Sequence, residues 1–228
     1  MSKVNRQSLK DAFTTIVFDF DGTLIDSKPT VLRCIRHAMQ KMGQPLPEDE
    51  DLSLCVGPPL RENFARLLAT QETSAIEEAL AHYRKLYDQG RAMFDCGLYP
   101  KVPELLDALS QSGYALYIAT AKPFDFTHQL VEHFKIKPYF RGIYGPNLDG
   151  TLDSKEKLVA ELVRQEGVLP EKTIMIGDRK HDIDSARSNS IYPAGVTYGY
   201  GSSEELLAAG ALHLFDSPGR IGEFFKHR

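Results

Sequence analysis

Six short stretches of the chain are almost unbroken in apolar side chains: TTIVFDF (14–20), YALYIAT (114–120), GIYG (142–145), TIMIGD (173–178), YPAGVTYG (192–199) and ALHLF (211–215). Continuous apolar runs of this kind predict strands covered on both faces, because a strand with one wet face would alternate. Between them lie segments of about 10 to 15 residues with helical periodicity, among them 102–112, 124–134 and 155–166. Strands alternating with helices predict an α/β fold, a Rossmann-like parallel sheet with helices on both faces.

One stretch breaks the alternation. Between residues 27 and 96 no run reads as a strand. SKPTVLRCIRHAMQKM (27–42) opens with Ser27 and Pro29, both helix-entry residues, and repeats apolar positions at Val31, Leu32, Ile35, Ala38, Met39 and Met42. That spacing predicts an amphipathic helix. PPLRENFARLLA and SAIEEALAHYRKLYDQ continue the pattern. The expected organisation is a core of residues 1–26 and 97–228, interrupted by an all-helical cap of residues 27–96. No internal repeat or low-complexity segment is visible.

Composition narrows the partners. The 228 residues carry a formal net charge of −4, so no basic excess points to nucleic acid. Cys34, Cys55 and Cys96 are odd in number and form no CxxC pair, which fits reduced thiols of a cytoplasmic protein. The opening MSKVNRQSLKDAF lacks the apolar core of a signal peptide, and no run approaches the ~18 apolar residues of a membrane span. The seven histidines, His181 among them, show no metal-ligand spacing. The expectation is a cytoplasmic protein, monomer or homodimer, that meets neither membrane nor nucleic acid.

The candidate chemistry sits where the predicted strands end. In open parallel sheets, sites form beyond the carboxyl ends of the strands. The first run ends in Asp19-Phe20-Asp21-Gly22-Thr23, the second in Thr120-Ala121-Lys122, and a later one in Gly177-Asp178, while Lys155 opens a predicted helix. Two acids closing a buried strand repel one another, so Asp19 and Asp21 call for a cation, a shared proton or exposure to water.

DFDGTL, the threonine of IATAKP, the lysine of DSKEKL and the acids of GDRKHD occur in the order of the four motifs of the haloacid dehalogenase-like superfamily. The chain resembles that family over nearly its whole length, and the helical insert resembles its first cap class. GPPLRE and GDRKHDI are most similar to the phosphoglycolate phosphatase-like and 5′-nucleotidase-like branch. The resemblance implies a phosphatase that uses Mg²⁺ and acts on a small phosphorylated metabolite through an aspartyl-phosphate. It implies Asp19 as nucleophile and metal ligand, Asp21 as acid and base and as ligand through its carbonyl, Asp178 as second carboxylate ligand, and Asp182 behind them. Thr120 and Lys155 would meet the phosphoryl oxygens, and Gly22, Ala121 and Lys122 would lie against substrate.

These roles make chemical sense. A carboxylate is a competent nucleophile toward phosphorus, and its own charge makes a bridging cation necessary. Arg61, after two prolines in VGPPLREN, is the cap residue suited to the far end of an anionic substrate. A β-phosphoglucomutase-type phosphomutase would show the same motifs and cap. A non-catalytic aspartate phospho-switch fits less well, since receiver domains are roughly half this length and uncapped. No G-x-G-x-x-G follows the first strand, which disfavours a nucleotide-dependent dehydrogenase.

Overall fold

The computed structural model describes residues 12–45, 52, 55–56, 58, 60–147 and 154–226. The opening segment through Asp11, part of the expected GPPLRE loop and residues 148–153 lie outside them. Six strands form one parallel sheet: β1 (Thr15–Phe18), β4 (Ala115–Ala119), β5 (Phe140–Tyr144), β6 (Thr173–Gly177), β7 (Tyr192–Val196) and β8 (His213–Phe215). Their order across the sheet is β5-β4-β1-β6-β7-β8. Short strands β2 (Ile25–Asp26) and β3 (Gly97–Leu98) pair separately.

Burial explains the sequence pattern. Every residue of β1, β4 and β6 is buried, whereas the edge strands β5 and β8 keep half-exposed positions. Alternate residues serve opposite faces. Val17, Tyr117, Ala119 and Met175 pack with Val159 and Leu162 of helix α6 (Lys155–Glu166) and Ala186 of helix α7 (Lys180–Ser188). Helix α4 (Val102–Gln111) packs on the terminal helix α9 (Pro218–Phe225), with the rings of Tyr114 and Phe225 5.1 Å apart.

The register aligns the strand ends. Phe18 of β1 stands beside Ile118 of β4 on one side and Ile176 of β6 on the other. Asp19, Thr120 and Asp178 therefore leave three adjacent strands at the same edge of the sheet. Here the strand order reverses: the chain runs outward from β1 through β4 to β5, then returns beside β1 with β6. Such a reversal opens a crevice for a ligand.

Two differences from the sequence pattern have physical causes. The first run ends as a strand at Phe18, because Leu24 and Ile25 amides donate to the Phe20 carbonyl and fold the chain into a turn. The run 192–199 ends at Val196, and its aromatic tail is a loop. Further helices, α5 (Phe124–His133) and α8 (Ser203–Ala209), complete the layers.

The chain divides into two compact units, one of Met1–Ile25 with Leu98–Arg228 and the other of Asp26–Gly97. The second is helical among its described residues: α1 (Lys28–Lys41), α2 (Leu60–Leu67) and α3 (Thr73–Arg84), the last running on into a π-helical turn at Lys85–Gln89. Its core includes Cys34, Phe64, Leu80, Tyr83 and Tyr87, together with Val31, Ile35, Ala38 and Met39 of the expected stripe, whose Leu32 and Met42 are only half-buried. Among the described residues no helix is long and apolar enough to cross a membrane.

Candidate active site

Four ionisable side chains meet under the edge of the sheet. Lys155, the first residue of α6, places its Nζ 2.8 Å from Asp19 Oδ1 and 2.5 Å from Asp182 Oδ1. Asp182 Oδ2 accepts from the Arg179 amide at 2.9 Å and so closes the first turn of α7. Asp178 Oδ2 accepts from the Tyr200 amide at 2.8 Å, while its buried Oδ1 has no hydrogen-bond partner. Carboxylate oxygens of Asp19, Asp178 and Asp182 all lie within 4.8 Å of one another. Asp19 is 5% exposed, and Asp178 and Asp182 are fully buried.

The charges do not balance. Three carboxylates face a single ammonium, which would leave two negative charges out of water if all three were ionised. Burial, then Asp182, pushes Asp19 up to about 7 in spite of Lys155. Burial raises Asp178 too, with Asp19 and Asp182 adding to it. Burial works to lower Lys155, but Asp182 and then Asp19 outweigh it and hold the ammonium charged. A divalent cation would remove the imbalance, and hard carboxylate oxygens suit Mg²⁺. The orphaned Asp178 Oδ1 has the character of a metal-ligand atom. Lys155 and the Arg179 amide engage both oxygens of Asp182, and Asp19, Asp178 and Asp182 together are the acids that could hold an ion.

The remaining expected residues are placed as follows. Asp21 Oδ2 lies 3.2 Å from Lys122 Nζ, a pair whose side chains are 18% and 7% exposed. Lys122 thus meets an acid of the DFDG turn. Thr120 is buried; its amide donates to the Tyr144 carbonyl, and its Oγ1 accepts from the Lys122 amide at 3.1 Å, which shapes the turn through half-buried Ala121. Gly22 has φ +82°, and a Cβ there would stand 2.2 Å from Asp178 Oδ2, so both its conformation and its surroundings demand glycine. Arg61 belongs to the helical unit, on α2, where it forms an exposed ion pair with Glu77 of α3.

Some contacts had no sequence signal read from them. The loop Tyr198–Gly201 reaches back to Asp178 and to the DFDGT turn, and Glu205 of α8 binds both Arg179 Nε and the Lys180 amide at 2.9 Å. The alternation YGYG was the available clue: glycine beside a site often marks a close backbone approach.

The family model described as haloacid dehalogenase-like hydrolase matches residues 16–196. The chain belongs to that family. It is 37% identical over 201 residues to a 5′-nucleotidase of Pseudomonas aeruginosa, covering 88% of this chain and 90% of that protein. It is 36% identical over 190 residues to the tyrosine-protein kinase PtkA of Mycobacterium tuberculosis, covering 83% of this chain and 64% of that longer protein. Among solved structures, a predicted phosphatase from Clostridium acetobutylicum superposes with a TM-score of 0.86 at 34% identity, covering 92% of this chain and 97% of that one. In this haloacid dehalogenase-like hydrolase, Asp19, Thr120 and Asp178 follow β1, β4 and β6 at one sheet edge, where Lys155 of α6 meets Asp19 and Asp182.

Proposed function

We propose that this hydrolase is a Mg²⁺-dependent phosphatase of small phosphorylated metabolites, with nucleoside monophosphates as its substrate class. The observation that carries the reading is the buried cluster of Asp19, Asp178, Asp182 and Lys155, two negative charges in excess with one carboxylate oxygen unpartnered. The 5′-nucleotidase relative supports the substrate class.

Asp19 and Asp178, with the Asp21 carbonyl, would hold the ion, which would supply positive charge to the phosphoryl oxygens and keep Asp19 ionised. An Asp19 oxygen attacks phosphorus and forms an aspartyl-phosphate as the ester P–O bond breaks. Asp21 gives its proton to the departing alkoxide. It then takes a proton from water, whose oxygen attacks phosphorus and frees both phosphate and Asp19. Lys155 is locked between Asp19 and Asp182, so its ammonium is already oriented when charge spreads over the phosphoryl oxygens. Thr120 adds a hydroxyl there. Lys122 holds Asp21 in place.

The test is steady-state phosphate release from nucleoside monophosphates, phosphoglycolate and sugar phosphates, with and without chelator. We expect turnover that vanishes in EDTA and returns with Mg²⁺, and none above background for Asp19→Asn. Undiminished turnover in excess EDTA would overturn the metal assignment. Isomerisation of a sugar phosphate without net phosphate release would favour a phosphomutase, and transfer of phosphate from ATP to a tyrosine peptide would favour the chemistry named for PtkA.

A further inference from the structure

The loop after β7 is packed against the site more tightly than any side chain would permit. A Cβ on Gly199 would stand 2.3 Å from the Gly22 carbonyl oxygen and 2.4 Å from Asp178 Cβ. One on Gly201 would stand 2.1 Å from the Asp178 carbonyl oxygen. Backbone therefore lies directly on Asp178 from two positions. Between those glycines, the Tyr200 amide donates to Asp178 Oδ2 at 2.8 Å. On the far side of Gly199, the Tyr198 hydroxyl donates to the Thr23 carbonyl at 2.9 Å and ties the loop to the turn that carries Asp21 and Gly22. Tyr198 also stacks edge-on against Tyr99, with ring centres 5.0 Å apart.

The effect on Asp178 is directional. One oxygen is fixed by the loop amide, and the other is buried and without a hydrogen-bond partner. A free carboxylate rotates about its terminal torsion. Fixing one oxygen removes that freedom and presents the other as the donor atom. Groups that orient a metal ligand from behind are worth roughly 10- to 100-fold in metal affinity.

Resting on the Mg²⁺-phosphatase reading, we propose that Tyr198–Gly201 is a positioning clamp for Asp178. The Tyr200 amide selects Oδ2 as the protein-bound oxygen and leaves Oδ1 for the divalent cation. Glycine at 199 and 201 lets the backbone come close enough, and the Tyr198 hydroxyl sets the loop's height over the DFDGT turn. The clamp residues touch neither substrate nor the reacting atoms in this scheme; they act through Asp178.

The test is the Mg²⁺ dissociation constant of the full chain, measured by calorimetric titration without substrate, beside the far-UV circular dichroism of each metal-free variant. Gly199→Ala should retain the wild-type spectrum and bind Mg²⁺ about 10-fold or more weakly. Tyr198→Phe, which removes one hydroxyl and keeps the ring, should weaken binding roughly 3-fold or more. A purely structural loop would lower the melting temperature without moving the dissociation constant. Wild-type affinity in a folded Gly199→Ala overturns the clamp. Should Gly199→Ala fail to fold, wild-type affinity in Tyr198→Phe overturns it instead. If the wild-type chain itself binds no Mg²⁺ while Asp178→Asn behaves identically, the metal reading falls and the clamp with it.

Discussion

Lys155 is the residue on which the buried acids depend. Its side chain is 9% exposed and is shared between Asp19 and Asp182. Removing one partner of a buried ion pair strands the other charge, at about 3–5 kcal/mol. Lys155→Met should therefore destabilise the metal-free protein by about that amount near pH 8. At about pH 5 the loss should be smaller, because the stranded carboxylates can take up protons. Urea denaturation of wild type and variant at both pH values measures it. Equal losses at the two would mean that lost packing, not stranded charge, is responsible. Asp19 and Asp21, two positions apart in the sequence, have different neighbours in space. Asp19 is buried beside other acids and pushed up to about 7, whereas Asp21 meets Lys122.

At the scale of elements, each part of the sheet edge is held by a neighbour. The turn after β6 is fixed by Asp182 inside α7 and by Glu205 from α8. The helical unit is separate, and its Arg61 sits in an exposed pair with Glu77 whose side chains are 56% and 43% exposed. Such a pair contributes about 0–1 kcal/mol, weak enough to be exchanged for a ribose hydroxyl or base carbonyl of a substrate. Arg61→Ala should leave the melting temperature nearly unchanged. It should raise KM for a nucleoside monophosphate about 10- to 150-fold, the equivalent of one lost charge-assisted hydrogen bond. The effect on p-nitrophenyl phosphate, which has no ribose or base for the guanidinium to hold, should be slight. Paired kinetics decide: equal losses on both substrates would mean that Arg61 supports the fold or the phosphate site.

For the whole molecule, the acid cluster links stability to pH and to metal. Burial and the neighbouring Asp182 push Asp19 up to about 7 from the 3.8 of an ordinary aspartate, and Asp178 is raised in the same direction. Between those values the folded chain holds a proton that the unfolded chain has released. Metal-free stability should thus fall as pH climbs from about 4 toward 7. On the proposed reading Mg²⁺ would bind the ionised acids, so its stabilisation should grow over the same range. Melting curves with and without about 10 mM Mg²⁺ should show a larger rise at about pH 8 than at about pH 5.5. An identical rise at both would show that the cation binds outside this cluster.

How much of this was legible in the chain follows from which interactions are local. The continuous apolar runs of β1, β4 and β6 announced a parallel sheet, because strands buried on both faces need no polar alternation. The stripe at Val31, Ile35 and Ala38 announced a helix through its period alone. The acids of DFDG and GD marked strand ends. Other features depended on residues far apart in the chain and had no local trace. YPAGVTYG read as one strand, yet the structure ends it at Val196, and only then can Tyr200 reach Asp178, 22 residues earlier. Asp182 read as an acid behind the ligands, but its place between Lys155 and the Arg179 amide required α6 and α7 to pack side by side. The sequence by itself determined the strands, the helical insert and the identity of the acids, because periodicity and residue chemistry are properties of neighbours along the chain. Only the tertiary structure decided which acid is buried, which is paired with lysine and which keeps a bare oxygen, because burial and pairing are properties of neighbours in space.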